Sequence, residues 1–146
     1  MVQTFFSILL ASLAMASGDD QQNGGIKVDI RIQSFKNDKG MCRLLVFERK
    51  KGFPDSKEHA ARMLSSSIRN KSAEFSLELK PGRYAVSVIH DENSNGKMDK
   101  TWYGKPLEGF GSLNNPKIGS GPPGFEESSA HFDEKSNHFI IKLNYL

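Results

Sequence analysis

Residues 26–33 read IKVDIRIQ, and this alternation decides the fold. Apolar residues occupy every second position from Ile26 to Ile32, and charged or polar residues fill the positions between them. Because side chains of a β-strand point alternately to opposite faces, a period of two predicts a strand with one buried face. The folded part of the chain is therefore expected to begin with a half-buried strand.

Five further segments show strand patterns: residues 42–48, 74–80, 84–90, 130–132 and 139–145. The turn sequences at residues 37–40 and at Pro81-Gly82 separate neighbouring segments, so we expect an antiparallel hairpin around each turn. A short helix, capped by Asp55 or Ser56, is expected through residues 59–64.

This pattern of short strands without a long amphipathic helix predicts an all-β fold. We expect an antiparallel β-sandwich, immunoglobulin-like or transthyretin-like, with one long glycine-rich loop region. Residues 26–146 are expected to form this single domain, which is long enough to bury one core. Tyr84 is expected to be an ordinary tyrosine at the core edge; the alternative is a corner tyrosine whose hydroxyl ties a loop to the sheet.

Residues 1–16 have the composition of a cleavable export signal. An apolar run from Phe5 to Leu13 precedes the small-residue triplet Ala14-Met15-Ala16, and the run is too short to cross a bilayer. Residues 17–25 are polar and glycine-bearing, which is typical of a flexible mature N-terminus. We expect a periplasmic or extracellular protein; a buried N-terminal strand is the alternative for the leader.

Charge and cysteine content narrow the class of protein. The formal net charge is +3, and the basic residues are scattered apart from Arg49-Lys50-Lys51, which argues against a nucleic-acid-binding face. Cys42 is the only cysteine, so no intramolecular disulfide can form. Because Cys42 lies in an apolar run, we expect a buried, inert thiol.

Residues 91–99 read DENSNGKMD and resemble a calcium-binding loop in their spacing. Oxygen-bearing side chains stand at positions 1, 3, 5 and 9, and glycine stands at position 6, where the tightly wrapped chain needs a positive φ. A hard divalent cation requires six or more oxygen ligands. The predicted ligands are Asp91, Asn93, Asn95, the backbone carbonyl of Lys97, and Asp99.

Two features of this loop limit the prediction. Position 12 holds Trp102 where a bidentate glutamate is usual, so Glu92 or Glu108 would have to substitute, and any Ca²⁺ binding is expected to be weak, with Kd of about 10⁻⁴ to 10⁻³ M. Asn95-Gly96 is also a strong hairpin-turn signal by itself. The metal interpretation is favoured because a two-residue turn does not need the additional carboxylates and amides.

A glycine-rich, aromatic stretch follows at residues 102–111, with Asn114-Asn115 beyond it. Long loops in compact domains are often functional, and exposed aromatic rings can stack on a sugar or a peptide. The alternative is that these rings pack inward and close one end of the sandwich. The predicted ligand-binding residues are His90, Trp102, Tyr103, Glu108, Phe110 and Asn114.

Several motifs together resemble a bacterial secreted family labelled domain of unknown function 2141. They are Pro81-Gly82-x-Tyr84-Ala85-Val86, His90-Asp91-Glu92-Asn93-x-Asn95-Gly96-Lys97-x-Asp99, Gly104-x-Pro106-x-Glu108-Gly109-x-Gly111, Asn114-Asn115 and the Pro-x-x-Phe element at residues 122–125. The chain departs from the family pattern at Ser94, Lys105 and Ser112-Leu113, which affects mainly the second loop. The resemblance implies export and a small β fold, and it supplies no activity.

These observations favour an exported, non-enzymatic β-sandwich module that binds Ca²⁺ through residues 91–99 and an extracellular or envelope ligand through the aromatic loop. One alternative is a metal-dependent hydrolase or other enzyme that uses His90, Asp91 and Glu108. No nucleophile stands beside a base in a familiar motif, which weighs against it. The second alternative is a purely structural accessory protein of the envelope.

Overall fold

The computed structural model describes residues 24–146, so the predicted signal at residues 1–16 and most of the segment at residues 17–25 lie outside it. The strands are β1 (Ile26–Gln33), β2 (Met41–Phe47), β3 (Arg62–Ser67), β4 (Ser72–Leu79), β5 (Gly82–Asp91), β6 (Gly109–Ser112), β7 (Ser129–Phe132) and β8 (His138–Lys142). One 3-10 helix, Lys57–His59, is the only helical segment of the described residues. The predicted all-β class is confirmed.

The strands form two sheets. The three-stranded sheet has the order β4-β1-β8, and the five-stranded sheet has the order β3-β2-β5-β6, with β7 paired to the first half of β5. All pairs are antiparallel except β1 with β8, which is parallel. The predicted sandwich is confirmed, and its antiparallel character holds apart from this one pair.

Both predicted hairpins are wrong. β1 pairs with β4 and β8, whereas β2 pairs with β3 and β5, so each of the two expected turns carries the chain from one sheet to the other. Phe35, in the first of these crossings, is buried between the sheets. The alternating pattern specifies which face of a strand is buried, but it does not specify the neighbouring strand.

The core between the sheets follows the period-two pattern. Val28, Ile30 and Ile32 of β1 are buried against residues of β2 and β5, including Leu44 and Val88. Burying such apolar surface supplies the main driving force for folding.

Cys42 also lies in this core, and its burial raises the pKa of the thiol to about 12. The predicted buried thiol is confirmed. A thiol of such high pKa carries almost no thiolate at neutral pH and is therefore unreactive.

The helix predicted at residues 59–64 is wrong, because the chain there enters β3, an edge strand paired with β2. Before β3, residues 48–61 cover part of the outer face of the five-stranded sheet, and we call them the covering loop. Phe53 of this loop packs against a second small cluster formed by Leu45, Phe47, Ala85 and Phe125. The pairing of β3 with β2 thus determines the structure here, in spite of the short helical pattern of residues 59–64.

Tyr84 occupies the position of a corner tyrosine. Its ring is buried, and its hydroxyl donates a hydrogen bond to the Lys80 carbonyl, with an O–O distance of 2.8 Å. The bond fixes the crossing from β4 to β5, so the alternative of a corner tyrosine, rather than an ordinary core-edge ring, describes the structure.

We expect Tyr84→Phe to lower the free energy of unfolding by about 1 kcal/mol, because one partly buried hydrogen bond is lost while the ring packing is kept. Urea unfolding monitored by far-UV circular dichroism measures this change. Tyr103→Phe, which removes the hydroxyl of an exposed ring, is the matched control and should leave the stability unchanged. Equal effects of the two substitutions would contradict the corner role.

Candidate functional site

Most of the predicted site residues lie at one end of the sandwich, where β5 ends and β6 begins. Two consecutive segments connect these strands: the 91–99 loop, and residues 100–106, which we call the aromatic hairpin because a bridge between Lys100 and Pro106 closes it. Because β5 and β6 are paired neighbours, both segments project from the same end of the five-stranded sheet.

Asp91, the last residue of β5, is fully buried. Its carboxylate accepts hydrogen bonds from Arg43 Nε, from the Gly96 N–H at 2.8 Å and from the Asn95 N–H at 3.0 Å. Burial opposes ionisation, but the Arg43 guanidinium and the two N–H donors outweigh it and hold the pKa of Asp91 below its ordinary value of 3.8. Both carboxylate oxygens are therefore engaged in holding the 91–99 loop against β2.

Three other predicted ligands converge on one point. Asn93 Nδ2 lies 2.7 Å from Asp99 Oδ2, and Asn95 Nδ2 lies 2.9 Å from Asp99 Oδ1. The side-chain oxygens of Asn93 and Asn95 accept backbone N–H groups of Asn95 and Lys97. The side chain of Lys97 is exposed, as expected for a residue that would contribute only its carbonyl.

Glu108 joins the two ends of the 91–99 loop. Its Oε1 accepts the Glu92 N–H at 3.0 Å, and its Oε2 accepts the Asp99 N–H at 3.1 Å. The residue is 5% exposed, and it immediately precedes β6. The carboxylate thus ties the loop to the base of the aromatic hairpin through backbone donors.

His90, which directly precedes Asp91 in β5, is fully buried. Its Nε2 donates to the Lys39 carbonyl at 2.7 Å, and its Nδ1 lies 2.8 Å from the Tyr145 hydroxyl. Both ring nitrogens therefore serve the fold in this structure. The three residues of the hydrolase alternative, His90, Asp91 and Glu108, bind different partners, and no hydrogen bond of the described residues joins any two of them.

The aromatic hairpin presents its rings to solvent. Trp102 is 96% exposed and Tyr103 is 62% exposed, and their rings contact edge to face with centroids 5.2 Å apart. Backbone hydrogen bonds from Thr101 to Lys105 and from Gly104 to Thr101 fix the turn that carries them. The alternative of inward packing is therefore wrong for these two rings.

Phe110 and Asn114 lie apart from this tip. Phe110 is half-buried in β6 and pairs with Ile89 of β5. Asn114 follows the far end of β6, has a positive φ of 68°, and donates to the carbonyls of Glu127 and Ser129. Asn114 thus holds the chain before β7 against the end of β6.

The sequence did not reveal three residues that build this end of the molecule. Arg43 pairs with Asp91, Tyr145 contacts His90, and Gly40 passes so close to β5 that an added Cβ would lie 2.0 Å from the Asp91 carbonyl oxygen. The role of Arg43 could have been suspected, because it is a charged residue inside the apolar run of β2. No local sequence pattern indicated the roles of Tyr145 and Gly40.

Within residues 24–146, no three side chains of histidine, cysteine, aspartate or glutamate are grouped as metal ligands would be. A cation at the 91–99 loop would therefore depend on amide and backbone carbonyl oxygens as well as on carboxylates. No helix in the described part of the chain is long and apolar enough to span a membrane.

We expect Glu108→Gln to destabilise the protein by about 1–3 kcal/mol. The carboxylate accepts hydrogen bonds from two backbone N–H groups, and in the variant one of these groups would face the NH₂ of the amide, which cannot accept a hydrogen bond. Urea unfolding at neutral pH measures the loss. Glu134→Gln, at an exposed turn, is the control and should have no measurable effect. If the two variants were equally stable, Glu108 would not be holding the loop.

The pairing of Asp91 makes stability depend on pH. Since the folded pKa lies below the ordinary value, the contribution of the ionised carboxylate is complete above that value and is lost as the pH falls through the folded pKa. Asp91→Asn should cost about 3 kcal/mol at pH 7, where it breaks the pair with Arg43. The difference from the wild type should shrink below about pH 4 in urea unfolding; a constant difference would refute the assignment.

The comparisons with known proteins identify one family. A family model described as "Uncharacterized protein conserved in bacteria (DUF2141)" matches residues 30–140, which include β2 to β7 whole and part of β1 and of β8. No curated protein and no solved structure matched the chain.

Proposed function

This chain belongs to the bacterial DUF2141 family, and from the geometry of its loop end we propose that it is an exported, non-enzymatic binding module. The 91–99 loop binds Ca²⁺ weakly, and the aromatic hairpin contacts an extracellular or envelope ligand. The observation that carries the proposal is the convergence of Asn93 and Asn95 on the Asp99 carboxylate.

This convergence supports a site for a hard cation. The amide groups that face Asp99 can present either nitrogen or oxygen, since a half-turn of the terminal group exchanges the two atoms. In the proposed bound form Asn93 and Asn95 turn their oxygens toward Asp99, and the Lys97 carbonyl adds a further ligand. Asp91 prepares the loop by binding its backbone N–H groups.

The same arrangement supports a weak site. Asp91 is paired with Arg43 and Glu92 with Lys36, so Asp99 is the loop carboxylate with the fewest competing charges. Few ionised ligands and no bidentate glutamate correspond to Kd values of about 10⁻⁴ to 10⁻³ M, which is typical of extracellular modules. The proposed location outside the cytoplasm rests on the export signal that the sequence predicts at residues 1–16.

The exposed rings support a contact role for the aromatic hairpin. Tryptophan and tyrosine are enriched in protein interfaces because they bury a large area at a small cost in side-chain entropy. Trp102 and Tyr103 stand on a hydrogen-bonded turn, so little ordering is required on binding. Glu108 binds the Asp99 N–H at the base of this hairpin, and a cation held by Asp99 therefore also affects the position of the hairpin.

We expect Ca²⁺ at 10 mM, about 100 times a Kd of 10⁻⁴ M, to stabilise the protein by about 2.7 kcal/mol. Thermal unfolding in Ca²⁺, in Mg²⁺ and in chelator measures this effect. The double variant Asn95→Ala/Asp99→Ala should lose it. Asp133→Ala, which alters another turn where an aspartate accepts backbone N–H groups, should keep it. The absence of a Ca²⁺-specific rise in the wild type would leave the 91–99 loop as a hydrogen-bonded turn.

Trp102 is the only tryptophan, so its fluorescence reports on the aromatic hairpin alone. If the loop and the hairpin are coupled, a Ca²⁺ titration should change the emission of Trp102, with the same midpoint as the gain in thermal stability. Glu108→Gln should weaken the fluorescence response. If Ca²⁺ stabilised the protein but left the fluorescence of Trp102 unchanged, metal binding at the loop would not be coupled to the hairpin.

A further inference from the structure

A cavity of about 290 Å³ lies on the outer face of the five-stranded sheet. The covering loop bounds it on one side, and residues 96–98 of the 91–99 loop bound it on the other. A salt bridge of 3.0 Å joins Asp55 of the covering loop to Lys100, which directly follows the 91–99 loop. The cavity thus lies between two segments that a salt bridge holds in place.

The floor and part of the walls of this cavity are apolar. Leu45 of β2 and Ile89 of β5 form the floor and are 5% and 9% exposed. Met63 of β3 and Met98 stand at the walls, and Met63 is 59% exposed. Methionine side chains adapt to irregular apolar ligands, so these walls suit a short hydrocarbon tail.

The polar groups of the cavity are mainly cationic. Arg43, Lys57 and Lys97 line it together with a single acid, Asp55, which is paired with Lys100 outside the lining. Arg43 is paired with Asp91, whereas no acidic residue between positions 24 and 146 forms an ion pair with Lys57 or Lys97. The Lys57 ammonium group lies beside Gly96, only 3.3 Å from where a Cβ would be.

We propose that this cavity binds a small amphiphilic anion, with a carboxylate or phosphate head between Lys57 and Lys97 and a short apolar tail on Leu45 and Ile89. The charge of the cavity complements such a head, and a tail that enters the cavity would cover apolar surface of Met63, which is exposed at the wall. At about 30 Å³ per water-sized atom, the volume admits roughly ten non-hydrogen atoms. With the head group at the exposed lysines, this volume has room for an eight-carbon chain, so octanoate and octyl phosphate are suitable probes.

The test is isothermal calorimetry of the full protein with octanoate, octyl phosphate, octanol and inorganic phosphate. The titrations are made in chelator, so that failure of calcium binding and failure of this proposal are distinguishable. Lys57→Gln/Lys97→Gln removes both unpaired charges without touching the core. Lys117→Gln/Lys135→Gln, at exposed positions elsewhere, is the matched control.

We expect saturable binding of octanoate or octyl phosphate, and whichever binds more tightly identifies the head group. Affinity should fall about tenfold or more in the Lys57/Lys97 variant, because charge-assisted contacts are lost, and should be unchanged in the control. Octanol and inorganic phosphate should bind at least about tenfold more weakly, since each lacks one half of the recognised chemistry. No saturable binding of either amphiphile, equal affinity in the two double variants, or equally tight binding of inorganic phosphate would overturn the proposal.

Discussion

The buried carboxylate of Asp91 is the interaction on which the loop end of this molecule depends. Taking an ionised carboxylate out of water costs several kcal/mol unless close partners offset the loss. Arg43 from the neighbouring strand and two backbone N–H groups of the following loop provide those partners. The shape of the 91–99 loop is therefore determined by a charge at the end of a strand, rather than only by its own turn-forming residues.

A second layer of polar contacts surrounds this carboxylate. Glu108 binds the backbone at both ends of the loop, and His90 joins the Lys39 carbonyl to the Tyr145 hydroxyl. Within the described residues, no buried side-chain nitrogen or oxygen lacks a hydrogen-bond partner. This end of the sandwich is closed by a satisfied polar network, and such a network favours one loop conformation over others. The aromatic hairpin, with its exposed rings, is attached to this polar network.

The sequence predicted the parts of the fold that depend on local pattern. The alternation in β1 identified a strand and its buried face, but neither of its partners, because β4 and β8 join it from distant parts of the chain. The serine-rich β3 and the glycine-bearing β6 lack an apolar alternation, and their strand structure comes from pairing with β2 and β5. Composition alone therefore gave no sign of them.

The candidate site was predictable to a similar extent. Residues 91–99 carry a recognisable spacing, and three of the five predicted ligands do meet in space. The partner of Asp91 could not be predicted, since Arg43 reaches it from β2, and no single segment of the sequence shows that β2 and β5 are neighbours. The exposure of Trp102 could not be predicted either, because the sequence of residues 102–111 is equally compatible with rings that pack inward and close the end of the sandwich.

The parallel pairing of β1 with β8 determines when the molecule can finish folding. β1 is the central strand of its sheet, and it contacts β8 through pairs such as Asp29 with His138. Closing so long a stretch of chain is slow and entropically costly. One edge of β1 keeps its backbone groups unpaired until residues 138–142 have been brought alongside it. The three-stranded sheet is therefore complete only after β8 has joined β1.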